Sequence, residues 1–257
     1  VINVRNMDNP NVYRRWATLR NVLFMVCNGM NIKEKMKKLF NRYLEIAHYG
    51  ALRSAILEYS GMEIELVAAQ ITISFIRYSD IMQADKVFYE AGMACRKQGI
   101  KKECLAFILL NHYLDLCDAI EDQDPSIVNG SIFEGTDIPQ EVLLPETKYT
   151  SDEEYEEVKE WVLAISMEQS IERNLPCDKN GNFEVSLVDA NGTSHSACLI
   201  SGYPVRGSAK QFGSSGKVAD RDTWSRFIMA QKTKSTESIA DVLQFIAKWT
   251  QTTSLSL

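Results

Sequence analysis

Two thiols and an imidazole, Cys177, Cys198 and His195, are the side chains best suited by type to hold a metal ion. Structural zinc takes four such ligands, usually in closely spaced pairs that one hairpin can present. Here Cys177 stands alone and no Cys or His follows Cys198, so no metal is expected. A buried Cys198 in a strand and an exposed His195 near a turn account for the same residues. Gly213-Ser214-Ser215-Gly216-Lys217 has the composition of a phosphate cradle. That cradle, however, needs four residues between its glycines and a hydroxyl residue after the lysine to hold magnesium. Only Ser214 and Ser215 intervene and Val218 follows, so a flexible surface loop is expected, and no cofactor. His112 lies on the apolar face of a helical stretch, with no acid or nucleophile paired to it, and reads as a core or edge histidine.

The remaining candidates are carboxylates. The net charge of −6 conceals a local block: residues 121–160 hold 13 acidic against 2 basic side chains, whereas residues 1–120 hold 12 against 16. These acids are too dispersed to form a general acid/base pair and read as a solvated face or a docking strip for a basic partner. No basic stripe suits nucleic acid, and no apolar run approaches the roughly 18–20 residues that cross a bilayer. Six cysteines without a Cys-x-x-Cys pair, four of them on apolar helical faces, read as free thiols of a reducing compartment. There the sequons at Asn129 and Asn191 carry no meaning. The polar opening, Val1 to Pro10, lacks the layout of a signal peptide, and the missing initiator Met suggests a segment of something longer.

The elements that must position these residues follow from periodicity. Val12, Trp16, Leu19, Leu23 and Val26 recur at helical spacing, as do Ile32, Met36, Leu39, Tyr43 and Ala47, then Leu52, Ala55, Ile56 and Tyr59. Met62 to Tyr78 is apolar on most sides; Ile71 to Phe75 also alternates, but helical neighbours favour helix there. Ala84, Val87, Phe88 and Ala91, then Leu105, Ile108, Leu109, His112 and Leu116, continue the pattern. Gly29, Gly61 and Gly99 punctuate it, as helix-ending glycines would between helix–turn–helix units of a solenoid. An irregular helical bundle is the alternative. The expected class is therefore mainly α, with tetratricopeptide-like helical repeats over residues 1–120 and at least two antiparallel helix pairs.

Residues 121–150 contain Pro125, Pro139 and Pro145 and cannot form a regular helix. Their apolar content predicts a partly docked acidic strap. Ser151 followed by Glu154 is a capping box that opens a helix, and residues 151–257 form the last expected segment. Phe183, Val185 and Leu187 alternate as in a strand, Asn191-Gly192 fits a hairpin turn, and Ala197 to Ile200 would return as the partner strand. Two helices, with stripes Trp224, Phe227, Ile228 and Ile239, Val242, Leu243, Ile246, close the chain. In Cys198-Leu199-Ile200-Ser201-Gly202-Tyr203-Pro204-Val205 a strand meets a tight turn, from which an aromatic and a stiffening proline can point outward to a partner. An ordinary turn packed on its own domain is the duller reading.

This last stretch, with Leu109 to Ile120, Thr136-Asp137-Ile138-Pro139, Glu160-Trp161-Val162-Leu163, Asp222 to Thr233 and Asp241 to Ile246, resembles the C-terminal region of the intraflagellar transport protein 172 family. The resemblance is close over residues 109–249 and looser before. It implies a peripheral subunit of intraflagellar transport complex B, at the cilium or flagellum and basal body on the cytoplasmic side. It further implies a U-box-like, zinc-free α/β module at residues 175–257. Carried over, Leu199, Ile200, Tyr203 and Pro204 match one partner-binding loop and Trp224 and Phe227 the adjoining helix. Family members can have a proline in the second loop, where this chain has Glu237.

Two readings result. The first is a non-enzymatic scaffold that binds other train subunits, of complex B and complex A, and supports cilium assembly and tip turnaround. The alternative is a U-box-like module that binds ubiquitin or recruits a ubiquitin-conjugating enzyme as a ligase. Such ligases contribute position and no catalytic side chain, so an empty search for acids and nucleophiles leaves them open.

Overall fold

The computed structural model describes residues 12–29, 33–59, 64–99, 102–167, 172–213, 215–233 and 236–252. Eight α-helices and two short strands order these residues: α1 (Val12–Gly29), α2 (Glu34–Glu58), α3 (Glu65–Ser74), α4 (Ala84–Lys97), α5 (Glu103–Asp122), α6 (Asp152–Ser166), β1 (Ala209–Gln211), β2 (Val218–Asp220), α7 (Arg221–Thr233) and α8 (Glu237–Thr250). The protein is mainly α. Two compact units are present, Thr72–His195 and Ile2–Ile71 with Ser196–Leu257. The ambiguous stretch at Ile71 to Phe75 is helical: α3 runs on into a 3-10 turn, Phe75–Tyr78. Gly61 and Ile32 lie outside the described residues.

In the continuous unit, α4 and α5 run antiparallel, since Phe88 meets His112 while Gly92, further along α4, meets Leu110, earlier on α5. Gly92 permits this approach: a Cβ there would stand 2.5 Å from the Leu110 side chain. The acidic segment after α5 carries two 3-10 turns, Pro125–Ile127 and Gly130–Phe133. Phe133, fully buried, packs against both Phe88 and His112, with ring centroids 5.6 and 5.0 Å away. His112 is thus a core residue, and burial pushes its pKa down to about 4. Further along, the buried Asp85 accepts the Tyr149 amide at 2.7 Å, and the Ser151–Glu154 capping box opens α6 as its sequence predicts.

The alternation at Phe183 to Leu187 does not make a strand. Its hydrogen bonds go elsewhere: the Val185 carbonyl accepts from Arg77 at 3.3 Å and the Leu187 amide donates to Asp137 at 2.8 Å. Asn191-Gly192 does turn the chain, but pairing stops at the Val188–Ser194 bridge. Asp178 and Asp189 build two similar knuckles. Asp178 accepts the amides of Asn180 and Asn182, and Asp189 those of Asn191 and Thr193, all at 2.8–2.9 Å. Cys177 sits exposed at the first knuckle, while His195, half-buried, lies 3.4 Å from Asp189 after the second. Among the described residues, no three His, Cys, Asp or Glu side chains gather as a metal site would need.

Candidate protein-binding site

The split unit is assembled from both ends of the described chain. α1 and α2 pack antiparallel, with Trp16 against Gly50 and with Leu23 and Leu44 in one cluster. A Cβ on Gly50 would lie 2.6 Å from the Trp16 ring, so only glycine allows this contact. Phe245 of α8 completes the cluster, flanked by Phe24 and Trp249. Beside it Arg20, wholly buried, donates to Asp241 at 2.8 Å and lies 4.2 Å over the Phe245 ring. Tyr13 also donates to Asp241, and burial with that carboxylate raises its pKa. Nothing in the spacing of Arg20 distinguishes it from a surface arginine; its burial depends on α8, more than two hundred residues away in sequence.

The tip expected to meet a partner is closed by its own backbone. Cys198 donates to the Tyr203 carbonyl at 2.7 Å, Gly202 to the Cys198 carbonyl at 2.8 Å, and Val205 to Ser196 at 2.9 Å. Gly202 takes a φ of +74°, which an L side chain rarely adopts. Ala197 bridges Pro204, so this hairpin folds on itself rather than back onto residues 183–188. Its other neighbour is β2: Leu199 donates to the Val218 carbonyl at 2.8 Å, and Cys198 and Val218 form a parallel bridge. β2 in turn pairs antiparallel with β1. The stretch ahead of β2 therefore supplies a strand, the buried Phe212, and Lys217, whose ammonium sits 3.8 Å from the Trp249 ring. Burial holds the Lys217 pKa below its usual value.

Helix α2 grips the tip from the N-terminal side of the sequence. His48 donates from Nε2 to the Leu199 carbonyl at 2.8 Å, and the Tyr49 hydroxyl donates to the Cys198 carbonyl at 2.9 Å. His48 is fully buried among Tyr49, Phe245 and Trp249, and desolvation pushes its pKa down to about 3. A neutral imidazole is required here, since the buried Nδ1 has no partner to stabilise a second proton. These two contacts escape sequence reading, because a His and a Tyr on an apolar helix face look like filler.

Helix α7 packs on both strands, with the Asp220 carboxylate accepting the Thr223 amide at its start. Its buried face carries Trp224, which meets Phe212 edge-on at 5.0 Å, and Phe227. Of the six expected contact residues, Leu199, Ile200, Trp224 and Phe227 are core, and Tyr203 and Pro204 are half-buried. β2 is the shared neighbour of the tip and α7. Phe227 has no exposed surface, so a polar residue there would act first on folding. Glu237 begins α8, behind the cap formed by Thr236, whose hydroxyl accepts the Ile239 amide.

These elements define a mainly α-helical protein with paired helices and a minimal sheet that braces a rigid turn. No protein-family model matches the chain. It is 41% identical over 247 residues to the mouse intraflagellar transport protein 172 homolog and 42% identical over 242 residues to the human one. Those alignments cover 94% and 92% of this chain and 14% of each relative. Intraflagellar transport protein osm-1 of Caenorhabditis elegans is 42% identical over 241 residues, 92% of this chain and 14% of the relative. The chain belongs to the intraflagellar transport protein 172 family, and it spans about one-seventh of those relatives' length.

Proposed function

We propose that this chain is a scaffold segment of an intraflagellar transport complex B subunit. It acts at the cilium or flagellum and basal body, on the cytoplasmic side, and binds other train subunits in cilium assembly and tip turnaround. The observation that carries this reading is the family likeness across more than nine-tenths of the chain. The helical pairs α1–α2 and α4–α5 support a tetratricopeptide-like architecture, each drawn close by a glycine facing a large side chain, Gly50 with Trp16 and Gly92 with Leu110. The proposed contact surface is the turn at residues 198–205. Tyr203 and Pro204 supply its accessible part, and Leu199, Ile200, Trp224 and Phe227 hold it rigid from within. A preformed turn gives up little entropy when it meets a partner. The test is capture of train subunits from ciliary extract by the wild-type chain and by Tyr203→Ser and Pro204→Ser. Loss of capture with unchanged melting supports the surface; full capture by both variants sinks it.

The alternative, a U-box-like ubiquitin-binding or ligase module at residues 175–257, draws support from the Asp178 and Asp189 knuckles. Side-chain carboxylates close these turns by hydrogen bonding, as a zinc-free module requires. Glu237 in place of a second-loop proline weighs against ligase activity. Autoubiquitination with a panel of conjugating enzymes decides it, and silence across the panel leaves only binding.

A further inference from the structure

Two exposed helix faces of this chain match one another in charge and apolar spacing. On α2, Met36, Leu39 and Tyr43 follow at i, i+3 and i+7 and so share one face, with 44%, 36% and 39% of their surface exposed. Around its first turns stand Lys33, Lys35, Lys37 and Lys38, all exposed, against a single acid, Glu34. No side chain caps this helix start. The positive end of the helix therefore adds to the lysines instead of offsetting them.

On α6 the pattern is the converse. Glu153, Glu156, Glu160, Leu163 and Met167 follow at i, i+3, i+7, i+10 and i+14, all exposed, with Leu163 at 62% and Met167 at 77%. Laid parallel with Leu39 against Leu163 and Tyr43 against Met167, Lys33, Lys35 and Lys37, which flank the Met36 face, meet Glu156 and Glu160. The spans agree: Lys33 to Leu39 and Glu156 to Leu163 each rise about 10 Å along their helix. The competing contact within α6, Lys159 with Glu156 at 3.6 Å, joins two exposed side chains and contributes little.

We propose that α2 of one copy of this chain docks along α6 of a second copy. The two faces differ, so the contact is head-to-tail. A reciprocal pair of such contacts closes a dimer and successive ones build a ring or a row, and in each case the mass rises above that of the monomer. Two helix faces bury less than the roughly 1,200 Å² typical of stable complexes, so the contact is weak in dilute solution. It becomes decisive where copies are already held side by side and their effective concentration is high. The inference does not depend on the contact surface at residues 198–205.

Sedimentation of the 257-residue chain from about 10 μM to about 1 mM tests it, the range over which a contact of this size saturates. The weight-average mass should climb with concentration and fall back at about 0.5 M salt, where charges are screened. One variant reverses α2 (Lys33→Glu, Lys35→Glu, Lys37→Glu, Lys38→Glu) and another reverses α6 (Glu153→Lys, Glu156→Lys, Glu160→Lys). Each alone should remain monomeric, and an equimolar mixture should associate again, because each reversed face meets an opposite one. Circular dichroism checks that both fold; Leu163→Ser with Met167→Ser replaces the α6 variant if it does not, and should weaken association at least about tenfold. A wild-type chain that stays monomeric throughout overturns the proposal, including where it binds an acidic helical peptide or anionic vesicles instead. So does association that either reversed variant retains, or a mixture that fails to restore it.

Discussion

The unit at Thr72–His195 and the unit made of Ile2–Ile71 with Ser196–Leu257 solve the same problem by different means. In the first, irregular backbone is tied down by carboxylates: Asp85 holds Tyr149, Asp137 holds Leu187, and Asp178 and Asp189 hold their own turns. Two of these ties close turns of a few residues and the other two span 50 and 64 residues, far less than the ties of the second unit. In the second, the ties cross the length of the chain: His48 to Leu199, Tyr49 to Cys198, Arg20 to Asp241, and Ser238 to Glu58. Local ties let a segment order itself early, whereas long-range ties require residues far apart in sequence to be brought together first. The two units should therefore differ in how they form and how they fail.

The harshest way to break this comparison is to empty each core in turn. Phe227→Ala should remove about 3–5 kcal/mol from the split unit, and Phe133→Ala a similar amount from the continuous one. Hydrogen exchange resolved by residue reads which amides lose protection. If each variant exposes only its own unit, the division is energetic as well as geometric; if both expose everything, the chain unfolds as one.

Removing the Asp241 carboxylate should cost somewhat less. Asp241→Ala leaves the Arg20 guanidinium buried without its partner, a loss of about 3 kcal/mol, while Arg20→Met, which removes charge and keeps bulk, should cost less than half of that. Urea midpoints compare them. A larger loss for Arg20→Met would mean that the ion pair itself, and not relief of a buried charge, stabilises the α1–α8 contact.

Acid should weaken both units, because each holds a buried neutral histidine. His48 takes up a proton only near pH 3 and His112 only near pH 4, against 6.5 for an exposed imidazole. Below pH 6.5 the unfolded chain binds protons that the fold refuses, so stability falls as pH falls, by about 2 kcal/mol per histidine at pH 5. His48→Gln, followed by urea unfolding at pH 7 and pH 5, should flatten this slope for the split unit alone. The smallest effect is at the capping box: Ser151→Ala should cost about 1 kcal/mol in the continuous unit and nothing in the other.

What could be read from sequence follows the same divide. Helices α1 to α8 announce themselves through apolar spacing, and Ser151 with Glu154 marks the start of α6, because these signals are local. Strand signals were misleading. Residues 183–187 alternate, yet Arg77 and Asp137 take the hydrogen bonds a partner strand would need. β1 and β2 hold three residues each inside a glycine- and serine-rich stretch, too short to alternate visibly. The turn at residues 198–205 was legible as a turn because Gly202 and Pro204 bracket it. That its floor would be buried was not, since burial of Leu199, Ile200 and Phe227 depends on elements distant in sequence.

The split unit also fixes where mechanical load would travel. Tension entering through α1 and leaving through α8 finds Tyr13 and Arg20 already fastened to Asp241, and Leu23 already packed in one cluster with Phe245. Residues 72–195 lie in sequence between the two halves of that fastening, so the pull would reach their backbone only once the clasp gave way. The ties of His48, Tyr49 and Glu58 to the returning chain would share that strain within the split unit.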